Sequence, residues 1–316
     1  MNKKVSLVVP CFNEEEALPY FFKECQSVMD TVGCDYNIIF VNDGSSDGTL
    51  ELMRKLEASC PQVEYISLSR NFGKEAAMYA GLSNADGDYV AVMDADMQDP
   101  PALLPEMLEI LETGEYDCVS TRREDRKGEP RVRSWFARRF YHLMDRISDS
   151  ELTDGARDFR LMTRSMTDAV LAMRESDRFS KGIFGWVGFR TYWLAYENTE
   201  RVAGETKWSF TKLTRYAMDG IVDFSRKPLD AVPAAGAIIT LFGLIALIKL
   251  LVKQLAKGLA TDPAWYVLAA VVTACGLQIL FLGVIAQYIA SMHRELKNRP
   301  HYIISETSMK DAGRTG

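Results

Sequence analysis

Apolar and polar positions alternate in blocks along the first hundred residues. VSLVVP (5–10), YNIIFVN (36–42), VEYISL (63–68) and YVAVM (89–93) are short β-rich runs. Between them lie helical patterns, 14-EEEALPYFFKECQSVMDTV-32 and 47-DGTLELMRKLEAS-59. Strand alternating with helix predicts an α/β fold, a mostly parallel sheet wrapped by helices on both faces. Ligands bind such sheets beyond the carboxyl ends of the strands. There the chain carries 10-PCFNEE-15, 42-NDGSSDGT-49, 68-LSRNFGKEAA-77 and 94-DADMQDP-100, all polar and three of them acidic.

The pattern changes after residue 230. Residues 231–251 hold no charge before Lys249, and 264–292 hold none at all. A helix needs about 20 apolar residues to cross a bilayer, so both runs predict transmembrane helices, with a buried pair of core helices as the alternative. Arg226 and Lys227 precede the first run, and Arg294, Lys297 and Arg299 follow the second. That bias predicts a hairpin with both ends in the cytoplasm. The expected organisation is a cytoplasmic domain over 1–200, a juxtamembrane basic loop and amphipathic helix over 201–230, two membrane helices over 231–292, and a cytoplasmic tail over 293–316. Ala270, Ala274, Ala286 and Ala290 offer close-packing faces, either within the hairpin or in a homo-oligomer.

Composition narrows the function classes. The 316 residues are 47% hydrophobic and 25% charged, as in a globular protein. A net charge of −6 excludes nucleic acid as the expected partner. Six scattered cysteines lack C-x-x-C spacing, which points to reduced thiols rather than zinc or disulfides. The arginine-rich, aromatic stretch 118–147 reads as a solvated helix face or as a surface meeting phosphate or an anionic membrane. The apolar, aromatic stretch 179–194 fits an interfacial segment near lipid headgroups.

The paired carboxylates Asp94 and Asp96 follow the fourth apolar run with only Ala95 between them. Either a cation lies beside them or they point opposite ways at a strand end. Asp43, before Gly44, reads as a turn residue or a ligand contact, and Gln98 as a turn residue or a neutral oxygen ligand. Asp158, between Arg157 and Arg160, reads alone as an ion-pair partner.

Taken together, VVPCFNEE, VNDGSSDGT, SRNFGKEAAMYAGL, MDADMQDPP, DFRLM and RVAGETKWSF, followed by two apolar spans, resemble the family 2 glycosyltransferases of GT-A fold. The closer resemblance is to the polyprenyl-phosphate group that includes the bactoprenol glucosyltransferases and dolichyl-phosphate mannose synthases. It covers nearly the whole chain and implies a set of roles. Asp94, Asp96 and Gln98 would hold Mg²⁺ or Mn²⁺, with Asp94 also at the donor. Pro10, Asn13, Glu14 and Asp43 would shape the nucleoside pocket. Lys74, Arg122, Arg201 and Lys207 would meet the diphosphate, and Arg131, Arg157 and Arg160 the acceptor phosphate. Asp158 would be the catalytic base, kept ionised by the arginines on either side.

The implied reaction moves a hexose, glucose from UDP-glucose by expectation, onto a polyprenyl phosphate such as undecaprenyl phosphate at the cytoplasmic face of the cell membrane. Mannose or a modified aminosugar is the alternative donor group. A non-catalytic nucleotide-binding scaffold is the alternative class. A processive synthase is a poor fit, because Q-x-x-R-W and further spans are missing.

Overall fold

In the computed structural model the described residues are 3–123, 156–175, 178–196, 263–297 and 299–309. Four strands fall where the pattern puts them: β1 (Lys4–Cys11), β2 (Asp35–Asn42), β3 (Val63–Leu68) and β4 (Tyr89–Val92). Helices α1 (Leu18–Val32), α2 (Thr49–Ser59) and α3 (Lys74–Asn84) connect them. The first helix starts at Leu18 rather than Glu14, with Pro19 in its first turn, where the missing N–H costs nothing. After β4 come α4 (Leu104–Glu112), β5 (Cys118–Arg123), β6 (Ala156–Thr163), α5 (Arg164–Ala172), α6 (Ser180–Trp186), β7 (Thr191–Tyr196), α7 (Pro263–Leu296) and β8 (Ile304–Thr307).

The strands form one sheet in the order β7-β5-β6-β4-β1-β2-β3-β8. Neighbours around β1 are parallel, while β6 and β8 run antiparallel to theirs, so the sheet is mixed beyond its parallel centre. The chain steps from β1 to β2 and β3 on one side, then places β4 on the other. The carboxyl ends of β1 and β4 thus frame the switch point at which open α/β sheets bind ligands.

Alternation along each strand feeds two cores. Val5, Leu7 and Val9 of β1, with Ile38 and Phe40 of β2, meet α1 and α4 through Phe21, Met29 and Met107. Val8, Ile39 and Val41 face the other way and meet α3, α5 and α6 through Met78, Met166 and Ile183. On that face α3 lies so close to the sheet that a Cβ at Gly81 would stand 2.2 Å from Val8 Cγ1.

Two expectations change. Residues 179–194 are chiefly internal: Phe179, Ile183, Phe184 and Leu194 are buried, and Trp186 and Tyr192 are exposed. Phe179, Ile183 and Phe184 serve the α3 face of the core, and Leu194 the α1 and α4 face. Within the expected tail over 293–316, β8 pairs antiparallel with β3 at the sheet edge. Tyr302 is buried there, and Glu306 accepts from Arg54 at 2.6 and 2.8 Å and from the Tyr65 hydroxyl at 2.6 Å.

The hairpin expected over 231–292 rests in part on residues that the structure does not describe. Residues 201–262 lie outside the described residues. Counted over the described residues alone, no helix is long and apolar enough to cross a membrane. The second apolar run is nonetheless one continuous 34-residue helix, α7, many of whose side chains lie outside the described set. Among those described, Val267, Val271, Leu282, Ile285, Ile289 and Met292 are exposed.

Arg54, then Tyr65, pull the Glu306 carboxyl down to about 2. A depressed carboxyl stabilises the fold above its unfolded value, about 4.3, and the gain disappears as pH falls through the folded value. Glu306→Gln is therefore expected to speed hydrogen exchange severalfold at the Tyr65 and Ser69 amides, which bond to the β8 segment. The difference from wild type should be largest above pH about 4.3 and shrink toward pH 2.

Candidate active site

The loop after β1 is strapped to the loop after β2. Asn13 adopts φ 55° and its Oδ1 accepts from the Ser46 amide at 2.8 Å. The Asn13 and Glu14 amides donate to Ser45 Oγ at 3.0 Å and Thr49 Oγ1 at 2.9 Å. Pro10 lies on β1 opposite Val41. The second loop is in turn pressed on the third. Gly44 has φ 64°, and a Cβ there would lie 2.5 Å from the Arg70 and Asn71 backbone.

Asp43, buried at the end of β2, uses both carboxylate oxygens on that third loop. It accepts from the Phe72 amide at 2.7 Å and the Gly73 amide at 3.0 Å. Burial pushes its carboxyl up, and the two amides and Arg70 offset part of that. These bonds set the Phe72–Gly73 turn that starts α3, so Lys74 is the first residue of a helix rather than part of a loop.

Lys74 reaches across the switch point to two carboxylates. Its Nζ lies 2.7 and 2.8 Å from the two oxygens of Asp94 and 2.5 Å from Asp158 Oδ2. The three side chains keep 33%, 26% and 22% exposure, so they line an open cleft rather than a sealed core. Burial alone would lower the Lys74 pKa, but Asp158 and Asp94 outweigh it and hold the ammonium charged. Burial would likewise raise Asp158, yet Lys74, then Lys181 and Arg160, hold it far below the usual carboxylate range.

The register explains how Asp158 arrives. Val92, the last residue of β4, pairs with Arg160 of the antiparallel β6. The start of β6 therefore lies beside the end of β4, and Asp158 stands level with Asp94. Strand alternation then separates the flanking arginines. Arg160 stays on the Asp158 side, its guanidinium 3.5 Å from the Phe184 ring centroid. Arg157 points to the other face, where it donates to Asp99 Oδ1 at 2.9 Å and Gln98 Oε1 at 3.2 Å. The main counter-ion of Asp158 is thus Lys74, not the neighbouring arginines.

Asp94 and Asp96 sit in the turn just past β4. Asp94 faces Lys74, while Asp96 Oδ1 accepts from the Gln98 amide at 3.1 Å across Met97, whose φ is 60°. A non-glycine residue in that region signals a turn held under constraint. Arg122 is exposed on β5, paired in register with Ala156 and Ala195. Arg131, Arg201 and Lys207 lie outside the described residues.

Four residues near the site were not anticipated. Glu75 Oε2 accepts from the Ser180 amide at 3.2 Å and also from its hydroxyl, tying α3 to α6. Lys181 acts on Asp158 electrostatically. Asp99 is fully buried and accepts from the Tyr196 hydroxyl as well as Arg157. Asp99 reads in sequence as a turn residue before Pro100, and only pairing between distant strands brings Tyr196 to it.

The family described as Glycosyl transferase family 2 matches residues 6–171, which contain Asp43, Lys74, Asp94, Asp96 and Asp158. The chain belongs to glycosyl transferase family 2. Within it, a Bacillus subtilis (strain 168) protein named for a glycosyltransferase, CsbB, is 41% identical over 96% of this chain and 92% of its own. The prophage bactoprenol glucosyl transferase homolog of Escherichia coli (strain K12) is 37% identical over 95% and 98%. The bactoprenol glucosyl transferase of Shigella phage SfV is 36% identical over 97% and 100%. Among solved structures, glucosyl-3-phosphoglycerate synthase from Mycobacterium tuberculosis overlaps partially. It covers 70% of this chain and 78% of its own at TM-score 0.47 and 20% identity, and no role is carried over from it.

Because the folded Asp158 carboxyl lies below its unfolded value of about 3.9, its pairing stabilises the protein fully above that value. The gain is lost as pH falls below it. The wild-type melting temperature should therefore drop more steeply between pH 5 and pH 3 than that of Asp158→Asn, measured by thermal unfolding of the full chain. Parallel curves would mean that Lys74 does not hold Asp158 ionised.

Proposed function

We propose that the protein is a membrane-anchored, inverting hexosyltransferase that moves glucose from UDP-glucose to a polyprenyl phosphate, undecaprenyl phosphate by preference. The observation that carries this is the Lys74 bridge, which brings a donor-side carboxylate and a second carboxylate from β6 to one point of the cleft. The relatives named bactoprenol glucosyl transferase, matching nearly end to end, support the sugar and the lipid.

The donor end suits Mg²⁺ or Mn²⁺. Among the described residues no three His, Cys, Asp or Glu side chains gather as a complete metal cage. Asp94 and Asp96 are instead a pair of hard oxygen donors at an open edge, the set these ions use when substrate phosphates and water complete the shell. Bound there, such an ion supplies charge stabilisation to the departing diphosphate. Gln98, with its oxygen engaged by Arg157, contributes to the turn rather than standing ready as a ligand.

The chain's own residues account for the rest. An oxygen of the acceptor phosphate forms a bond to the anomeric carbon as the bond from that carbon to the diphosphate oxygen breaks. The acceptor phosphate, with a second pKa near 6, arrives largely ionised at neutral pH. A carboxylate held as low as Asp158 is a weak base, so its main task is to keep Lys74, Lys181 and Arg160 gathered where two anionic groups meet. Asp43 acts through the third loop by holding the start of α3, and the strapped loops at Asn13 and Glu14 form the nucleoside end.

The return of β8 to the sheet bears on topology. Tyr196 at the end of β7 and Ile304 at the start of β8 belong to one sheet, so any membrane crossings between them are even in number. The α7 helix extends roughly 50 Å at about 1.5 Å per residue, longer than a hydrocarbon core of about 30 Å. It carries no charge from Ala264 to Met292. With the run at 231–251 as its partner, this is a two-helix hairpin in the cell membrane with the catalytic domain cytoplasmic.

Three outcomes are expected. Purified full chain with UDP-glucose and undecaprenyl phosphate should yield a glucosyl lipid phosphate by mass, and product only with another nucleotide sugar would reassign the donor. Asp96→Asn should lower kcat by about 100-fold or more, whereas full turnover in excess chelator would remove the metal from the account. In cells, Ala260→Cys should react with a membrane-impermeant thiol reagent from outside only; labelling from the cytoplasm alone would overturn the hairpin.

A further inference from the structure

The face of β6 turned away from Asp158 carries a second charged cluster that the transfer reaction does not touch. Asp99 Oδ1 accepts from Arg157 Nε at 2.9 Å and from the Tyr196 hydroxyl. Asp99 has no exposed surface, and its Oδ2 has no hydrogen-bond partner among the described residues. As a source of stability this is a poor arrangement. A buried ion pair roughly breaks even against apolar packing, and an orphaned oxygen is a further cost. What the cluster does achieve is a junction of three elements: the turn after β4, the start of β6 and the end of β7.

That junction grips the turn just beyond its constrained residue. Met97 has φ 60°, a conformation that a side chain with a Cβ holds only when its surroundings impose it. Asp96 Oδ1 closes the turn on the Gln98 amide at 3.1 Å. The Gln98 side chain is held by Arg157 at 3.2 Å, and Asp99 is held by Arg157 and Tyr196 together. Both residues after Met97 are therefore fixed from β6, and one of them also from β7.

We propose that Asp99, Arg157 and Tyr196 are positioning residues, a buried clamp that keeps the Asp94–Gln98 turn in the shape in which Asp94 and Asp96 take a divalent cation together. The inference rests on the donor-site reading above, and it moves Arg157 from the acceptor phosphate to the support of the donor site. Partners of this kind, one shell out from metal-binding carboxylates, set metal affinity without touching the metal.

Two mild variants test the clamp. Tyr196→Phe removes one hydroxyl and keeps the ring. Arg157→Lys keeps the charge and loses the planar fork that reaches Asp99 and Gln98 at once. The full chain in detergent is titrated with Mn²⁺ at saturating UDP, with free Mn²⁺ read by electron paramagnetic resonance. UDP binding without metal and the melting temperature are measured on the same samples. The expected result is Mn²⁺ affinity weakened about 10-fold in each variant, with metal-free UDP binding within about twofold of wild type. Unchanged Mn²⁺ affinity beside a lowered melting temperature would make the cluster merely structural and overturn the proposal. Equal losses of Mn²⁺ and metal-free UDP binding would overturn it too, as a general collapse of the cleft. A wild-type chain that binds no Mn²⁺ beside UDP would fail at an earlier point, removing the donor-site reading and the clamp with it.

Discussion

One ammonium group organises this protein's cleft. Lys74 lies between Asp94 and Asp158, which reach it from different strands, and without it two carboxylates would face each other in a partly buried space. At an effective dielectric of about 20, unit charges 4 Å apart interact by roughly 4 kcal/mol. A pair of like charges there would drive one carboxyl to protonate. The ammonium sets a positive charge between them and holds Asp158 ionised. Much of the surrounding structure serves to place that one group. Asp43 sets the turn before it, the close approach of α3 to the sheet fixes the helix that bears it, and Glu75 ties the same helix to α6.

The sheet topology explains why the two carboxylates meet. A purely parallel sheet would send the start of β6 to the opposite end from Asp94. Because β6 runs antiparallel to β4, its amino end lies at the carboxyl end of its neighbour, and the pairing of Val92 with Arg160 sets the level. The same reversal assigns the neighbours of Asp158 by strand alternation. Arg160 stays on the Asp158 face, buried against Phe184, and Arg157 turns to the buried cluster on the other face.

The first half of this design was legible in sequence. Alternating runs gave β1 to β4 nearly to the residue, since each is short, apolar and bounded by polar turns. The rule for parallel sheets placed Asp43, Asp94 and Asp96 on one rim. The later strands were less visible. The β5 run is charged at its end, β6 carries Arg157, Asp158 and Arg160 among its apolar residues, and β8 is four residues long and distant in the chain. Long-range pairing, not local pattern, makes them strands. The same limit hid the Lys74 bridge and the Asp99–Tyr196 contact, which join residues 84 and 97 positions apart. It also made residues 179–194 look interfacial, because an apolar run reads alike whether it faces lipid or a protein core.

The most direct test of the bridge is a double-mutant cycle on the unfolding free energy of the full chain at neutral pH, using Lys74→Met, Asp158→Asn and the two combined. If Lys74 holds Asp158 as described, Lys74→Met strands the carboxylates and is strongly destabilising. Asp158→Asn in that background then restores part of the loss, with a coupling energy of about 1–3 kcal/mol. Additive effects, with a coupling below about 0.5 kcal/mol, would show that the two side chains do not hold each other and would contradict the account.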